Sequence, residues 1–347
     1  MALSDYLLPR IRTLDPGYFA LVMATGIVSI GASLHGMPTV SRVLLALNAA
    51  AYVVLVLLSV LRIASARYEL HADFANPARG AGFLTFSAGT CVLASQCILV
   101  VHLPITAIIL TIVGALSWGI LLYTLLAVVI TGQHKPGFRR SINGSWLIAV
   151  VSTQALVVVL TLLIADTRPG ISAAWLFAAM CLYLIGGALY LILITLIFQR
   201  LLFLPLAASG FTPPYWINMG ALAITTLAGS LLVLQATAQP SLVELTPFVK
   251  GFTLFFWATA TWWIPLLTIL ELWHQGLRHV RLGYATADWD IVFPLGMYAV
   301  CTDLLARALN LDFLKPLSTV AVYVSLLAWL FVAAAALRFW YPASSSV

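Results

Sequence analysis

Charge is the scarcest property of this chain. Only 8% of its 347 residues are Asp, Glu, Lys or Arg, whereas a soluble domain carries about 25%. So few charges cannot cover a water-facing surface, which excludes a soluble enzyme or soluble binding module. Cysteine is scarce as well. Cys91, Cys97, Cys181 and Cys301 all fall inside apolar stretches, so no framework of exposed disulfides is expected. His35, His71, His102, His134, His274 and His279 lie in loops or at the ends of apolar stretches. Haem or a metal ion in a helix bundle needs ligands deep on facing helices, so neither metal nor cofactor is expected. There is no Gly-x-Ser-x-Gly elbow, no His-Glu-x-x-His and no phosphate loop. Asp288 and Asp290 form a short acidic pair, but a lipid-modifying transferase holding magnesium and pyrophosphate would need several such acids. The net charge of +6 does not point to nucleic acid, because the basic residues are spread over short loops.

What the chain has is hydrocarbon. Its residues are 63% hydrophobic and the mean hydropathy is +1.06. Ten apolar runs occupy roughly 17–35, 40–61, 80–101, 104–130, 144–165, 173–198, 215–235, 248–272, 290–309 and 317–340, each long enough to cross about 30 Å of hydrocarbon as a helix. Breakers such as Asn76-Pro77, Lys135-Pro136-Gly137, Pro213-Pro214 and Lys315-Pro316 separate them. The expectation is an all-α integral membrane protein with one domain over 1–347. It would have a cytoplasmic tail over 1–16 and a short one over 342–347. Residues 1–16 lack the pattern of a cleaved signal, so the first run is expected to be retained.

Twelve basic residues (Arg10, Arg12, Arg62, Arg67, Arg79, Lys135, Arg139, Arg140, Arg200, Arg278, Arg281, Arg338) fall on the side of the N-terminus, and five (Arg42, Arg168, Lys250, Arg307, Lys315) on the other. The excess places both termini in the cytoplasm of a multi-pass protein of a bacterial inner membrane. Short links alternate with longer, more basic ones, so the spans read as five hairpins of the same orientation. Such repeats are related by an axis along the membrane normal. Five odd spans around that axis would make a ring enclosing a pore, with the even spans outside.

The odd spans are rich in hydroxyls and glycine: Ala24-Thr25-Gly26, Ser87-Ala88-Gly89-Thr90, Ser152-Thr153-Gln154, Thr225-Thr226-Leu227-Ala228-Gly229-Ser230 and Cys301-Thr302. Small and hydroxylated residues in a bilayer mark helix contacts or wetted surfaces. The even spans are blander, except that the eighth is aromatic (Phe252, Phe255, Phe256, Trp257, Trp262, Trp263, Trp273), which reads as lipid interface or subunit packing. Asp303 and Arg307, four apart near the outer end of the ninth span, are expected to pair. No carboxylate or histidine lies near the middle of a span, so the lumen is expected to be neutral and movement through it passive or weakly coupled. Pro265 and Pro294 fall inside spans and free a carbonyl there. Phe293, beside Pro294, is either an ordinary packed aromatic or a ring that plugs a narrow pore.

The run Pro16-Gly17-Tyr18-Phe19-Ala20-Leu21-Val22-Met23-Ala24-Thr25-Gly26-Ile27-Val28-Ser29 resembles the first helix of the tellurite-resistance/dicarboxylate transporter family. The run Trp289-Asp290-Ile291-Val292-Phe293-Pro294-Leu295-Gly296-Met297-Tyr298 is similar to that family's ninth helix. The group includes TehA, the plant slow-type anion channels, malate permeases and sulfite efflux pumps. The resemblance extends over nearly the whole chain. It implies a homotrimer with one pore per subunit, built from the five odd helices and occluded by a phenylalanine at the position of Phe293, next to Pro294. It implies small inorganic or organic anions as cargo and membrane lipid as surroundings. On this reading Thr25, Gly26, Thr90, Ser152, Thr153, Thr225, Thr226 and Thr302 line the pore. The alternatives are a proton-coupled carrier of C4-dicarboxylate, sulfite or another small organic anion, and, from another class, a membrane enzyme acting on lipid.

Overall fold

Apolar runs separated by proline and glycine leave the backbone one way to satisfy itself in a bilayer, the helix. The computed structural model describes residues 11–133, 135–166, 173–206, 210–236, 243–278 and 284–340. Residues 1–10 and 341–347 of the two tails, and His134, Arg168, His279 and Arg281, lie outside the described residues. The ten long helices are α1 (Ala20–Leu34), α2 (Pro38–Ser65), α3 (Leu84–Leu99), α4 (Pro104–Thr131), α5 (Ile148–Asp166), α6 (Ala173–Phe203), α7 (Ile217–Ala236), α8 (Thr246–Arg278), α9 (Trp289–Leu309) and α10 (Lys315–Trp340). Counted with the short turns that lead into some of them, all ten are long and apolar enough to cross a membrane. The chain is an all-α integral membrane protein.

The two sets of helices differ in sequence and in place. Within an 18-residue stretch of each odd-numbered span, 72–94% of residues are buried within the protein, against 11–28% in the even-numbered ones. Each odd helix opens with a 3₁₀ turn: Pro16–Phe19, Ala81–Phe83, Gly144–Leu147, Pro213–Trp216 and Thr286–Asp288. Side chains hold several of these entries. The Asp15 carboxylate accepts from Gly17 N–H at 2.7 Å, and the Asn143 carbonyl oxygen from Ser145 N–H at 3.0 Å. The five odd helices pack side by side in chain order, α1 on α3, α3 on α5, α5 on α7, α7 on α9, and α9 back on α1. That closes a five-membered ring. Each even helix packs on the odd helix before it and also touches the next odd helix.

A recurring hydrogen bond ties the layers together across the repeats. Tyr52 on α2 meets Thr90 on α3 (3.1 Å), and Trp118 on α4 donates to Thr153 on α5 (2.9 Å). Trp257 on α8 donates to Thr302 on α9 (3.0 Å), and Trp329 on α10 to Thr25 on α1 (2.9 Å). In the remaining repeat Tyr183 on α6 bonds Thr253 on α8 at 3.0 Å, and Gly229 on α7 supplies space rather than a hydroxyl: a Cβ there would strike both partners.

The aromatic helix α8 is two-sided, which narrows the reading of it as interface. Phe256 and Trp263 are buried, with Phe256 edge-on to Tyr190 and Trp263 edge-on to Phe198 of α6. Trp257 stacks on Tyr298 of α9. Only Phe248, Phe255, Trp262 and Trp273 of the aromatics on this helix are exposed. Phe256 and Trp263 are thus used in packing against α6 within the outer layer, and Trp257 in packing against the inner one.

Close backbone approach fixes the ring at the end where the odd helices begin. A Cβ on Gly144 would fall onto the Pro214 carbonyl group, at the entries to α5 and α7. Backbone cannot move aside as a side-chain tip can. Gly144→Ala is therefore expected to cost about 1–3 kcal/mol, as overpacking does, while Trp118→Phe, which removes one interlayer donor, should cost nearer about 0.6 kcal/mol. Thermal unfolding of both variants in detergent checks the order.

Candidate functional site

The ring of odd helices encloses a cavity of about 170 Å³. Its wall repeats with one register on all five helices: Ile27, Ile30 and Leu34 on α1; Val92, Ser95 and Leu99 on α3; Ala155, Val158 and Leu162 on α5; Ile224, Leu227 and Leu231 on α7; Met297, Val300 and Leu304 on α9. Residues three and seven positions apart lie on one helical face, so each helix turns a single stripe to the axis. The stripes are aliphatic. Ser95 is a polar exception, and its hydroxyl is already donated to the Cys91 carbonyl at 3.0 Å.

The odd helices run away from the N-terminal face, and the cavity occupies their far halves. One turn nearer the N-terminal face, at four residues less, the stripes continue through Met23, Ala88, Val151, Gly220 and Phe293, all buried. Four of these are aliphatic or lack a side chain, and the fifth is a phenyl ring 1% exposed. Pro294, inside α9, packs against α7 where a Cβ on Gly220 would come within 2.8 Å of its Cγ. Glycine at that position lets α9 approach α7 with its proline.

The hydroxyls singled out from sequence are placed differently from the expectation that they line the lumen. Thr25, Thr90 and Thr153 each stand two residues before the first cavity residue of their helix, a rotation of about 200° at 3.6 residues per turn. Thr302 stands two after Val300. All four point to the outer layer and accept its N–H or share its O–H, as described above. A Cβ on Gly26 would meet Val92 and the buried Asn48–Gln96 pair, so this glycine serves contact among α1, α2 and α3. Ser152, Thr225 and Thr226 are buried and bond carbonyls of their own helices, those of Ala149, Ala221 and Leu222. None of the eight belongs to the wall of this cavity. The physical reason is cost: a hydroxyl in hydrocarbon is stabilised most by a partner within the protein, and the interlayer contact supplies one.

The expectation of a neutral lumen is also revised. Arg307 lines the far end of the cavity and pairs with Asp303 at 2.7 Å, as their spacing predicts. Asp303 is almost buried while the Arg307 side chain is 48% exposed, so the carboxylate holds a guanidinium at the mouth. At the N-terminal face, Asp288 accepts from the Ala285 N–H at 2.8 Å and so caps the turn before α9. Nearby, Trp289 donates to the Tyr284 hydroxyl at 3.1 Å. Burial pushes that hydroxyl up to about 12, against the lowering effect of the bond, so Tyr284 stays protonated. Cys91, Cys97 and Cys301 are buried and Cys181 half-buried, all as free thiols.

The aliphatic stripe was missed because each helix was read by its polar residues. The signal that could have found it is the shared spacing of three and four between bulky aliphatics in all five odd spans, visible when the repeats are aligned on one another.

Residues 13–337 match a family model described as voltage-dependent anion channel. An uncharacterized membrane protein of Mycobacterium tuberculosis is 38% identical over 141 residues, 41% of this chain and 71% of that protein. Two uncharacterized transporters of Methanocaldococcus jannaschii are similar over most of their length. One is 24% identical over 306 residues, 86% of this chain and 85% of its own. The other is 23% identical over 311 residues, 87% of each.

The stripe geometry predicts which introduced thiols meet water. Leu304 lies on the cavity wall, and its neighbour Leu305 is fully buried against Ala306 and Leu314. In a background without native cysteines, Leu304→Cys should react with a small charged thiol reagent from one face of the membrane only. Leu305→Cys should stay unmodified over the same period, and equal labelling of the two would refute the placement of the wall.

Proposed function

The chain belongs to the voltage-dependent anion channel family, and we propose that it passes small anions along the axis of its five-helix ring, with Phe293 as the gate and Pro294 as the residue that positions it. The family description and the transporter names of its relatives support transport of anions as the general activity rather than catalysis. What supports the finer reading is the continuity of one stripe per inner helix, which lines the cavity and one turn nearer the N-terminal face reaches the buried Phe293.

A narrow apolar passage excludes ions without any clash of charge. An anion entering it must shed water and receives few donors in return, so a single ring across the axis holds it closed. The wall offers no titratable group between Arg307 and the Phe293 level, and this supports passive movement over proton coupling. Arg307 at the far mouth attracts anions and repels cations. Asp303 restrains it from folding into the passage. The same reading places both termini in the cytoplasm of a bacterial inner membrane and joins three copies, each with its own pathway. The excess of Lys and Arg on the N-terminal face supports that orientation.

Removing the phenyl ring tests the gate. Phe293→Ala in proteoliposomes should raise chloride flux by at least about tenfold, equivalent to about 1.4 kcal/mol off the barrier. A folded variant with flux no higher than the parent would sink the gate. In that open background, Arg307→Gln should lower flux at low ionic strength. The difference should shrink at about 1 M salt, where the screening length falls to about 3 Å.

A further inference from the structure

Away from the axis, on the N-terminal face, lies a concavity of about 560 Å³ lined by Arg139, Arg140, Asn143, Arg200, Gly210 and Thr212. Three parts of the chain meet there: the short helix Phe138–Ser141 between α4 and α5, the end of α6, and the segment leading into α7. An adjoining hollow of about 520 Å³ shares Arg139 and Arg140 and adds Phe138 and Leu204. Arg200 is held in place. Its Nη1 donates to the Ile142 carbonyl and to the Tyr215 hydroxyl, both at 2.5 Å, and its guanidinium lies 5.7 Å from the centre of the Tyr215 ring. Asn143 shapes the wall, with its amide engaged by Ser145 N–H and the Ala78 carbonyl.

The general excess of basic residues on this face does not explain the convergence. Elsewhere on the same face Arg62 pairs with Asp73, and Arg79 with Asp73 and Asp15, while Arg12 and Arg67, which have no carboxylate partner among the described residues, lie outside this lining. Among the described residues, no carboxylate pairs with Arg139, Arg140 or Arg200. Three like charges gathered in one hollow repel one another, and a multiply charged anion relieves that repulsion. Guanidinium forks match tetrahedral oxyanions in two-point contacts, and the exposed Thr212 hydroxyl adds a further donor. We propose that this concavity binds a phosphate group, carried either by a soluble phosphate or pyrophosphate or by the headgroup of an anionic phospholipid. The apolar Phe138 and Leu204 at its edge are compatible with a lipid chain. The lining touches the entry turns of α5 and α7, since Ile142 and Tyr215 both hold Arg200. A bound phosphate would therefore brace the two helix starts that Gly144 and Pro214 bring together.

The test uses the full chain in detergent, at fixed ionic strength. Pyrophosphate binding is followed by calorimetry, and retention of phosphatidylglycerol against phosphatidylcholine by native mass spectrometry. Arg139 and Arg140 are exposed, so the double variant Arg139→Gln/Arg140→Gln should fold. Arg12→Gln/Arg67→Gln removes the same charge from two exposed positions on the same face outside this lining. We expect the first variant to weaken binding by about tenfold or more, about 1.4 kcal/mol, and the second to leave it unchanged. Loss confined to pyrophosphate identifies a soluble ligand, and loss confined to phosphatidylglycerol identifies a lipid. The proposal is overturned if the parent binds neither probe, or if the two double variants weaken binding equally. Neither result bears on the Phe293 gate, because the site lies off the transport axis.

Discussion

A polar group without a partner is costly in hydrocarbon, and that cost organises this molecule, although the buried Asn218 amide goes without one. Helices satisfy the backbone. Some side-chain hydroxyls of the inner helices bond carbonyls of their own helix, and the outer helices answer four others with tryptophan N–H or tyrosine O–H. Each such bond is weak alone, on the order of 0.6 kcal/mol. Its value lies in direction: it fixes the rotation of four of the five inner helices, α1, α3, α5 and α9, about their own axes. Once Thr25, Thr90, Thr153 and Thr302 are turned outward, the opposite face of each helix is aimed at the axis, and that face is aliphatic. The character of the central cavity thus follows from bonds made on the far side of the helices that surround it.

The layered plan was legible in the chain because composition reports environment. Leu44 to Leu61 can face oil, and Ser87-Ala88-Gly89-Thr90 packs against other helices. The alternation of such segments fixes which helices are buried. What sequence could not resolve was the use of each polar residue. Thr90 facing a lumen and Thr90 facing Tyr52 have the same composition, and only the partner, 38 residues away, distinguishes them. The pairing of Asp303 with Arg307 was readable because both lie on one helix. That Arg307 also reaches the cavity was not, because the width of the ring is set by contacts among five separate spans. The convergence of Arg139, Arg140 and Arg200 was hidden for the same reason, since 60 positions separate the last two in the chain.

Five repeats of one hairpin would produce a collar of equivalent residues at every level of the axis, and the cavity wall comes close to that. The symmetry fails at two neighbouring helices. On α7 the position where α1, α3 and α5 carry Thr25, Thr90 and Thr153, two before the first cavity residue, is Leu222, and Tyr183 bonds Thr253 of α8 beside Gly229 instead. On α9 the helix carries Pro294, which presses into Gly220 of α7. One turn nearer the N-terminal face than the cavity, the equivalent positions are Met23, Ala88, Val151, Gly220 and Phe293, so the large ring at that level belongs to α9 alone. A symmetric collar of five medium side chains would need several to move together before the axis widened. Closure from one wall needs one torsion, or a small shift of α9 against α7 at the single place where a glycine faces a proline. The departure from symmetry therefore puts the controlling degree of freedom of the proposed pathway in one helix pair and leaves the other three inner helices as fixed scaffold.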